Sequence, residues 1–128
     1  MLQRALTDAE TATENSLKFP EAWQALAETN VRLALLAKPR SKGRKEYLAA
    51  AQAALEKTFS MNPNLAAAKV TEGALALAQA EDARDGAARR QAGKKATAAL
   101  EQAVQRDALL RLDVAERLKK ARQIAGAE

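Results

Sequence analysis

No cysteine and no histidine occur among the 128 residues. Their absence removes disulfide frameworks, thiolate and imidazole metal centres, the thiol nucleophile and the usual proton shuttle of neutral pH. No cofactor or metal ligand set is expected, and the missing cysteines suit a reducing compartment. Aromatics are scarce too, with one Trp, one Tyr and two Phe. An interior made without them is filled by Ala and Leu, which demands helices at close range. No apolar run approaches the roughly 20 residues that span a bilayer, and the first residues lack a basic-then-apolar export signal. A cytoplasmic location is the expectation.

What the chain does contain is Ala, Leu, Lys, Arg, Glu and Gln, the residues that lose least on entering a helix. An all-α fold follows, with enough length for one ordinary domain and its core. The formal charge is +5, unevenly spread. Residues 1–30 hold Arg4 and Lys18 against Asp8, Glu10, Glu14, Glu21 and Glu28, so the remainder is strongly basic.

The organising feature is an internal echo. Ala51, Ala53, Ala54, Leu55 and Glu56 return 45 residues later as Ala96, Ala98, Ala99, Leu100 and Glu101. A fixed period of this size predicts a helical solenoid.

Taken in order, Leu2, Ala5, Leu6, Ala9, Ala12, Thr13 and Leu17 trace an apolar stripe and predict a helix over 2–18. It has no capping residue, as though the chain opened in the middle of an array and were a segment of a longer protein. Pro20 suits the first turn of a second helix running to about Leu36 and burying Trp23, Leu26, Ala27 and Leu33. The stretch 38–44, with Pro39 and Gly43, reads as a basic loop. A third helix is expected over about 45–61 and, after Asn62-Pro63-Asn64, a fourth over 65–82. Arg84-Asp85-Gly86 offers a turn. A fifth helix over 88–106 meets Gly93, which costs about 1 kcal/mol in a helix interior and points to a start nearer Lys94. Asp107 takes the place of Asn62. A sixth helix over 109–124 buries Leu110, Val114, Leu118 and Ala121, keeps a charged outer face, and ends at Gly126.

Trp23-x-x-Leu26-Ala27, then Ala51-x-x-x-Leu55 with Pro63 after the second helix of the pair, resemble the tetratricopeptide repeat. Gly73, Ala96 and Leu100 continue the pattern. The resemblance implies a right-handed α-solenoid of about six antiparallel helices in a single domain over 1–128. Residues 1–19 would be a lone helix B, 20–63 a first repeat, 64–108 a second, and 109–128 a capping helix. Departures are the stretch of 40 residues from Trp23 to Pro63, Lys69 and Glu72 at usually apolar positions, Asn30 at an aromatic one, and Ala108 in place of the proline. The long period and the Lys-Gly-Arg stretch look more like the arrays at the C-terminal ends of bacterial serine/threonine kinases of the eukaryotic type. That likeness implies a part that docks a substrate or regulates a neighbour. No glycine-rich phosphate loop, His-Arg-Asp or Asp-Phe-Gly motif is present, and no nucleophile and base can be paired. A non-catalytic protein is expected.

In the repeat family helix A lines the concave surface. Carrying the register over from Trp23 implies a partner surface of Gln24, Glu28, Val31 and Arg32, with Val70, Thr71, Ala74 and Leu77, beside Glu21 and Ala67. Such a surface suits a peptide or neighbouring domain; equally, Val31, Val70 and Leu77 meet neighbouring helices. The family's clamp for a C-terminal carboxylate needs Lys and Asn where Gln24 and Glu28 stand, so chaperone tails are not expected ligands. Trp23 reads as a wedge between helices, and Tyr47 as a ring packed with its hydroxyl toward water.

Lys38, Arg40, Lys42, Arg44 and Lys45 form one basic patch, with Arg89 and Arg90 in its counterpart beside Arg84, Lys94 and Lys95. They are either solvated loops or an alternative electrostatic site for nucleic acid or an acidic partner. The scarcity of aromatics beside them counts against stacked single-stranded nucleic acid. A third reading is a homodimer formed through the uncapped first helix.

Overall fold

The computed structural model describes residues 2–15 and 19–126, with the side chains of 12–15 left out of the description. The described residues are all-helical and contain no strand. They form two compact units, Met1–Asn64 and Leu65–Glu128.

The first unit holds α1 (Leu2–Asn15), α2 (Pro20–Leu36) and α3 (Lys42–Met61). Helix α1 packs on α2, with Ala9 buried and Leu2 and Leu6 half-buried, while Ala5 is exposed. The side chains of the expected stripe positions Ala12 and Thr13 are outside the description, and Leu17 and the expected helix end at Lys18 lie outside the described residues. Pro20 opens α2, where its missing N–H leaves no bond unmade. Helix α3 starts three residues earlier than its apolar pattern suggests. The cause is Ser41, whose hydroxyl caps the helix by accepting from the Arg44 N–H at 3.2 Å. The connection therefore shrinks to 37–41, and it closes with a turn in which Ser41 N–H donates to the Lys38 carbonyl at 3.0 Å. Pro39 and Arg40 are its central residues, and Arg40 has a φ of 65°. That pattern is a type II turn, whose second central residue takes the left-handed region that Gly would hold more easily.

The second unit holds α4 (Ala66–Asp82), α5 (Gly86–Arg106), a 3-10 turn (Ala108–Leu110) and α6 (Arg111–Gly126). Asp85 caps α5 by accepting from the Ala88 N–H at 2.7 Å. Helix α5 runs unbroken through Gly93 rather than starting beyond it, and packing explains the glycine. A Cβ there would sit 2.6 Å from the Ala125 backbone nitrogen and 2.7 Å from the Ile124 methyl Cγ2 of α6. Gly73 does the same for α4 against α5, where a Cβ would meet the Leu100 side chain at 2.6 Å. The core of this unit is accordingly small and tight, with Ala76, Leu77, Ala80, Ala96, Leu100, Val114, Ala121 and Ile124 all buried. Full burial of a leucine such as Leu100 stabilises by about 2 kcal/mol.

The 45-residue echo reaches the hydrogen bonds. Asn62 N–H donates to the Thr58 carbonyl at 2.9 Å and Asp107 N–H to the Ala103 carbonyl at 2.9 Å. Each of these residues then turns its side-chain oxygen onto the N–H two positions on, Asn64 and Leu109, both at 3.0 Å. Such Asx turns stop one helix and aim the next.

Candidate functional site

The expected partner surface resolves differently in its parts. On α2, Gln24 and Glu28 are half-buried and Arg32 is exposed, and Arg32 pairs with Glu28 at 2.9 Å. On α4, Ala67 is exposed and Val70 and Ala74 are half-buried. Three residues expected on the surface are withdrawn from it. Val31 is 3% exposed, Leu77 belongs to the core cluster of the second unit, and Thr71 is buried with its hydroxyl donating to the Ala67 carbonyl at 3.2 Å. An apolar residue on a helix serves core and binding floor equally well by periodicity, and here these side chains serve the core.

The polar departures from the repeat pattern have local partners. Lys69 and Glu72 pair with each other at 3.7 Å. Asn30 is buried and donates to the Leu26 carbonyl of its own helix at 3.0 Å. Trp23 is half-buried with the Lys57 ammonium 5.9 Å from its ring centroid, a cation–π distance. The Tyr47 hydroxyl accepts from Gln3 Nε2 at 3.1 Å.

The basic patch loses a member. Arg44 is 1% exposed and its Nη1 donates to the Ala34 carbonyl at 3.3 Å in the last turn of α2. Its guanidinium is a structural clamp rather than part of a surface, because the carbonyl end of a helix is where a buried cation finds partial negative charge. Lys38, Arg40, Lys42 and Lys45 remain exposed at the α2–α3 corner. At the α4–α5 corner, Arg89 is exposed yet donates to the Ala80 carbonyl at 3.4 Å, and Arg90 is half-buried. Lys42 and Lys45 sit in the first turn and a half of α3, and neither α3 nor α5 has an acidic residue in its first turn. The positive end of the α3 dipole thus carries cations, an arrangement that disfavours the helix and favours an anion, whereas at α5 the Asp85 carboxylate already occupies that end.

A feature absent from the sequence expectations lies between α5 and α6. A cleft of about 450 Å³ is lined by Glu101, Val104, Gln105, Arg111, Ala115, Leu118 and Arg122. Val104 and Leu118 form its floor, packed on the core beneath. Arg122 reaches Glu101 at 3.6 Å across it. Nearby in sequence, Leu109 and Leu112 are 88% and 86% exposed, and Leu112 lies one helical turn before Ala115. The signal that could have revealed this was spacing: Leu109 and Leu112 fall off the stripe of Val114, Ala121 and Ile124 that enters the core. Among the described residues, no group of His, Cys, Asp or Glu is arranged to hold a metal ion, and no helix is long and apolar enough to cross a membrane.

Compared with protein-family profiles, with characterised proteins and with solved structures, the chain gives no match.

Proposed function

We propose that this chain is a non-catalytic protein-interaction module of tetratricopeptide-like helix pairs, taking a peptide or neighbouring domain on the exposed part of its helix-A faces. The observation that carries the reading is repetition in atomic detail: the same helix stops, the same Asx turns and the same arginine clamps recur at the sequence period. Such repetition supports a modular helical array, whose broad faces suit polypeptide ligands. The residues assigned to contact are Gln24, Glu28 and Arg32 on the α2 face of the first unit and, as a separate face, Ala67 and Ala74 on α4 of the second, all at least partly open.

The test is selection of a phage-displayed random peptide library on the full chain. Peptides that use the α2 face are expected to lose about 10-fold in affinity toward Glu28→Lys, and peptides that use the α4 face as much toward Ala67→Glu, with the helical circular dichroism retained. If no sequence enriches, or if the selected peptides bind both variants as tightly as the parent, the helix-A assignment falls.

A second reading is favoured by the cations at the start of α3. It assigns an acidic partner to the corner formed by Lys38, Arg40, Lys42 and Lys45. Binding of heparin, as a polyanion probe, should then weaken steeply with salt and disappear when those four become Ala. Salt-independent binding removes this reading.

A further inference from the structure

We propose that the corner where α2 meets α3 docks on an anionic phospholipid bilayer, with Leu35 and Leu36 entering the acyl boundary and the cations around them meeting lipid phosphates. It rests on the assignment of an anion to this corner and names the anion's source. Two leucines of α2 stay out of the core that the rest of its last turns enter. Leu36 is 73% exposed and Leu35 47%, while Val31, Leu33 and Ala34 of the same helix are buried. A single exposed leucine is ordinary. These two adjoin four exposed cations, Lys38 and Arg40 in the connection and Lys42 and Lys45 at the start of α3.

Little negative charge offsets them. Among residues 35–46 the one carboxylate is Glu46, and the buried Arg44 adds positive charge beneath the surface. The first turn of α1 is held beside α3 by Gln3, whose amide donates to the Tyr47 hydroxyl at 3.1 Å, and that turn brings Arg4 and no carboxylate. Arg40 takes a φ of 65°, where glycine is the easier residue. The turn thus carries a charge at a position where the backbone asks for no side chain.

The mixture of leucine and cation discriminates among anions. A sugar or nucleic-acid polyanion satisfies the cations and does nothing for Leu35 and Leu36. An anionic bilayer satisfies both, because the leucines reach the acyl boundary while the lysine and arginine heads stay at the level of the phosphates. Shape agrees with charge. The Ser41 N–H donates to the Lys38 carbonyl at 3.0 Å and closes a tight turn, so the corner is the convex end of a helix pair. Peptides are taken in grooves or on sheet edges, whereas fluid lipid parts around a convex tip.

A second copy of this chain is a poor occupant. Among its exposed residues α1 offers Asp8 and Glu10 to the cations but nothing apolar larger than Ala5 to the leucines. The exposed Leu109 and Leu112 stand among Arg106 and Arg111 as well as Asp113, so their surroundings repel this corner. A further helix in the stack would lie alongside α1, as α1 lies along α2, and would leave the end of the α2–α3 pair open.

The experiment sediments the full chain with phosphatidylcholine vesicles containing about one-third phosphatidylserine, and with vesicles of phosphatidylcholine alone. Binding to the anionic vesicles is expected to be at least about 10-fold tighter. Leu36→Ser should weaken it by about 5-fold while leaving heparin binding unchanged. Lys38→Ala combined with Lys42→Ala should weaken both by about 10-fold. The thermal midpoint by circular dichroism controls for folding. Leu36→Trp gives an independent readout, since its emission should move to shorter wavelength on anionic vesicles. Heparin binding without vesicle binding overturns the bilayer and leaves the anion assignment standing; if neither binds, both fall. Equal binding to the two kinds of vesicle, indifference to Leu36→Ser, or an unshifted Leu36→Trp emission also overturns the proposal. Two arms name competing occupants. Binding of soluble polyglutamate that Leu36→Ser weakens as much would give the corner to an acidic polypeptide. A concentration-dependent dimer that the same variant abolishes would give it to a second copy; either result overturns a lipid surface.

Discussion

Arg44 and Arg89 stand 45 residues apart and make the same bond, each donating from Nη1 to the carbonyl of the alanine in the last turn of the preceding helix, Ala34 at 3.3 Å and Ala80 at 3.4 Å. In both places that carbonyl already accepts from a backbone N–H, Ala37 at 3.1 Å and Ala83 at 3.3 Å. The arginine occupies its second lone pair and ties α3 to the end of α2 and α5 to the end of α4. The two clamps differ in one respect: Arg44 is 1% exposed, whereas Arg89 is open to solvent.

That difference sets a prediction. Arg44→Ala removes a buried charge-assisted hydrogen bond together with the packing of a long side chain, and should cost about 2–3 kcal/mol. Arg89→Ala exposes its carbonyl to water that can replace the donor, and should cost about 0.5 kcal/mol. Urea unfolding measures both, and Trp23, the only tryptophan, reports the unit that contains Arg44. Equal losses in the two variants would contradict the assignment of burial as the cause.

The glycines separate by sign. Gly93→Ala gains about 1 kcal/mol of helix propensity, but the new methyl would lie 2.6 Å from the backbone of Ala125. Backbone on a packed helix cannot swing aside as a side-chain tip can. Separating α5 from α6 costs about 2–3 kcal/mol, for a net loss of about 1–2 kcal/mol. Gly43 has nothing within 4 Å of its would-be Cβ and lies inside α3. Gly43→Ala should therefore stabilise by about 0.5 kcal/mol. Thermal midpoints moving in opposite directions are the expected readout.

Asp85 offers a local check on the start of α5. Its carboxylate accepts from the Ala88 N–H at 2.7 Å, and Asp85→Ala should cost about 1 kcal/mol in urea unfolding. Asp85→Ser, which keeps an acceptor, should recover most of it. A loss that Ser does not recover would mean that the carboxylate acts through something other than the cap.

Much of this helical architecture is legible in the sequence, and what is not has a physical reason. Leu55 and Leu100 identified the repeat because buried positions allow few substitutes, so the period survives there. By sequence Arg44 is one charge in a basic run, since sequence shows the charge but not the carbonyl it faces. Its equivalent, Arg89, at the same spacing was the available clue. Gly93 reads as a break because propensity is a property of one helix, whereas the requirement it meets belongs to the crossing of two. Ser41 starts α3 ahead of its apolar pattern because a cap acts through the backbone and leaves no periodic trace. Val31 and Leu77 could not be assigned to floor or core by spacing, since both roles ask for an apolar residue on the same face. The α5–α6 cleft is a relation between helices, and only the stray Leu109 and Leu112 hinted at it.

The start of α3 provides the sharpest separation of stability from binding. Lys42 and Lys45 are exposed on a helix with no acidic residue in its first turn, where the unpaired N–H groups already present partial positive charge. If this corner were tuned for the helix alone, acidic residues would serve it better. Lys42→Glu is expected to raise stability by about 0.5 kcal/mol at low salt. The gain should shrink in about 1 M NaCl, where screening acts within about 3 Å. The same variant should weaken the heparin probe, because it exchanges an attraction for a repulsion at the dipole's positive end. A stabilised variant with unchanged heparin affinity would show that the corner's charge takes no part in binding. A destabilised one would show that Lys42 makes a contact in the fold outweighing the dipole. The paired outcome, more stable and less able to hold an anion, is the signature of a surface kept at some cost to the helix that carries it.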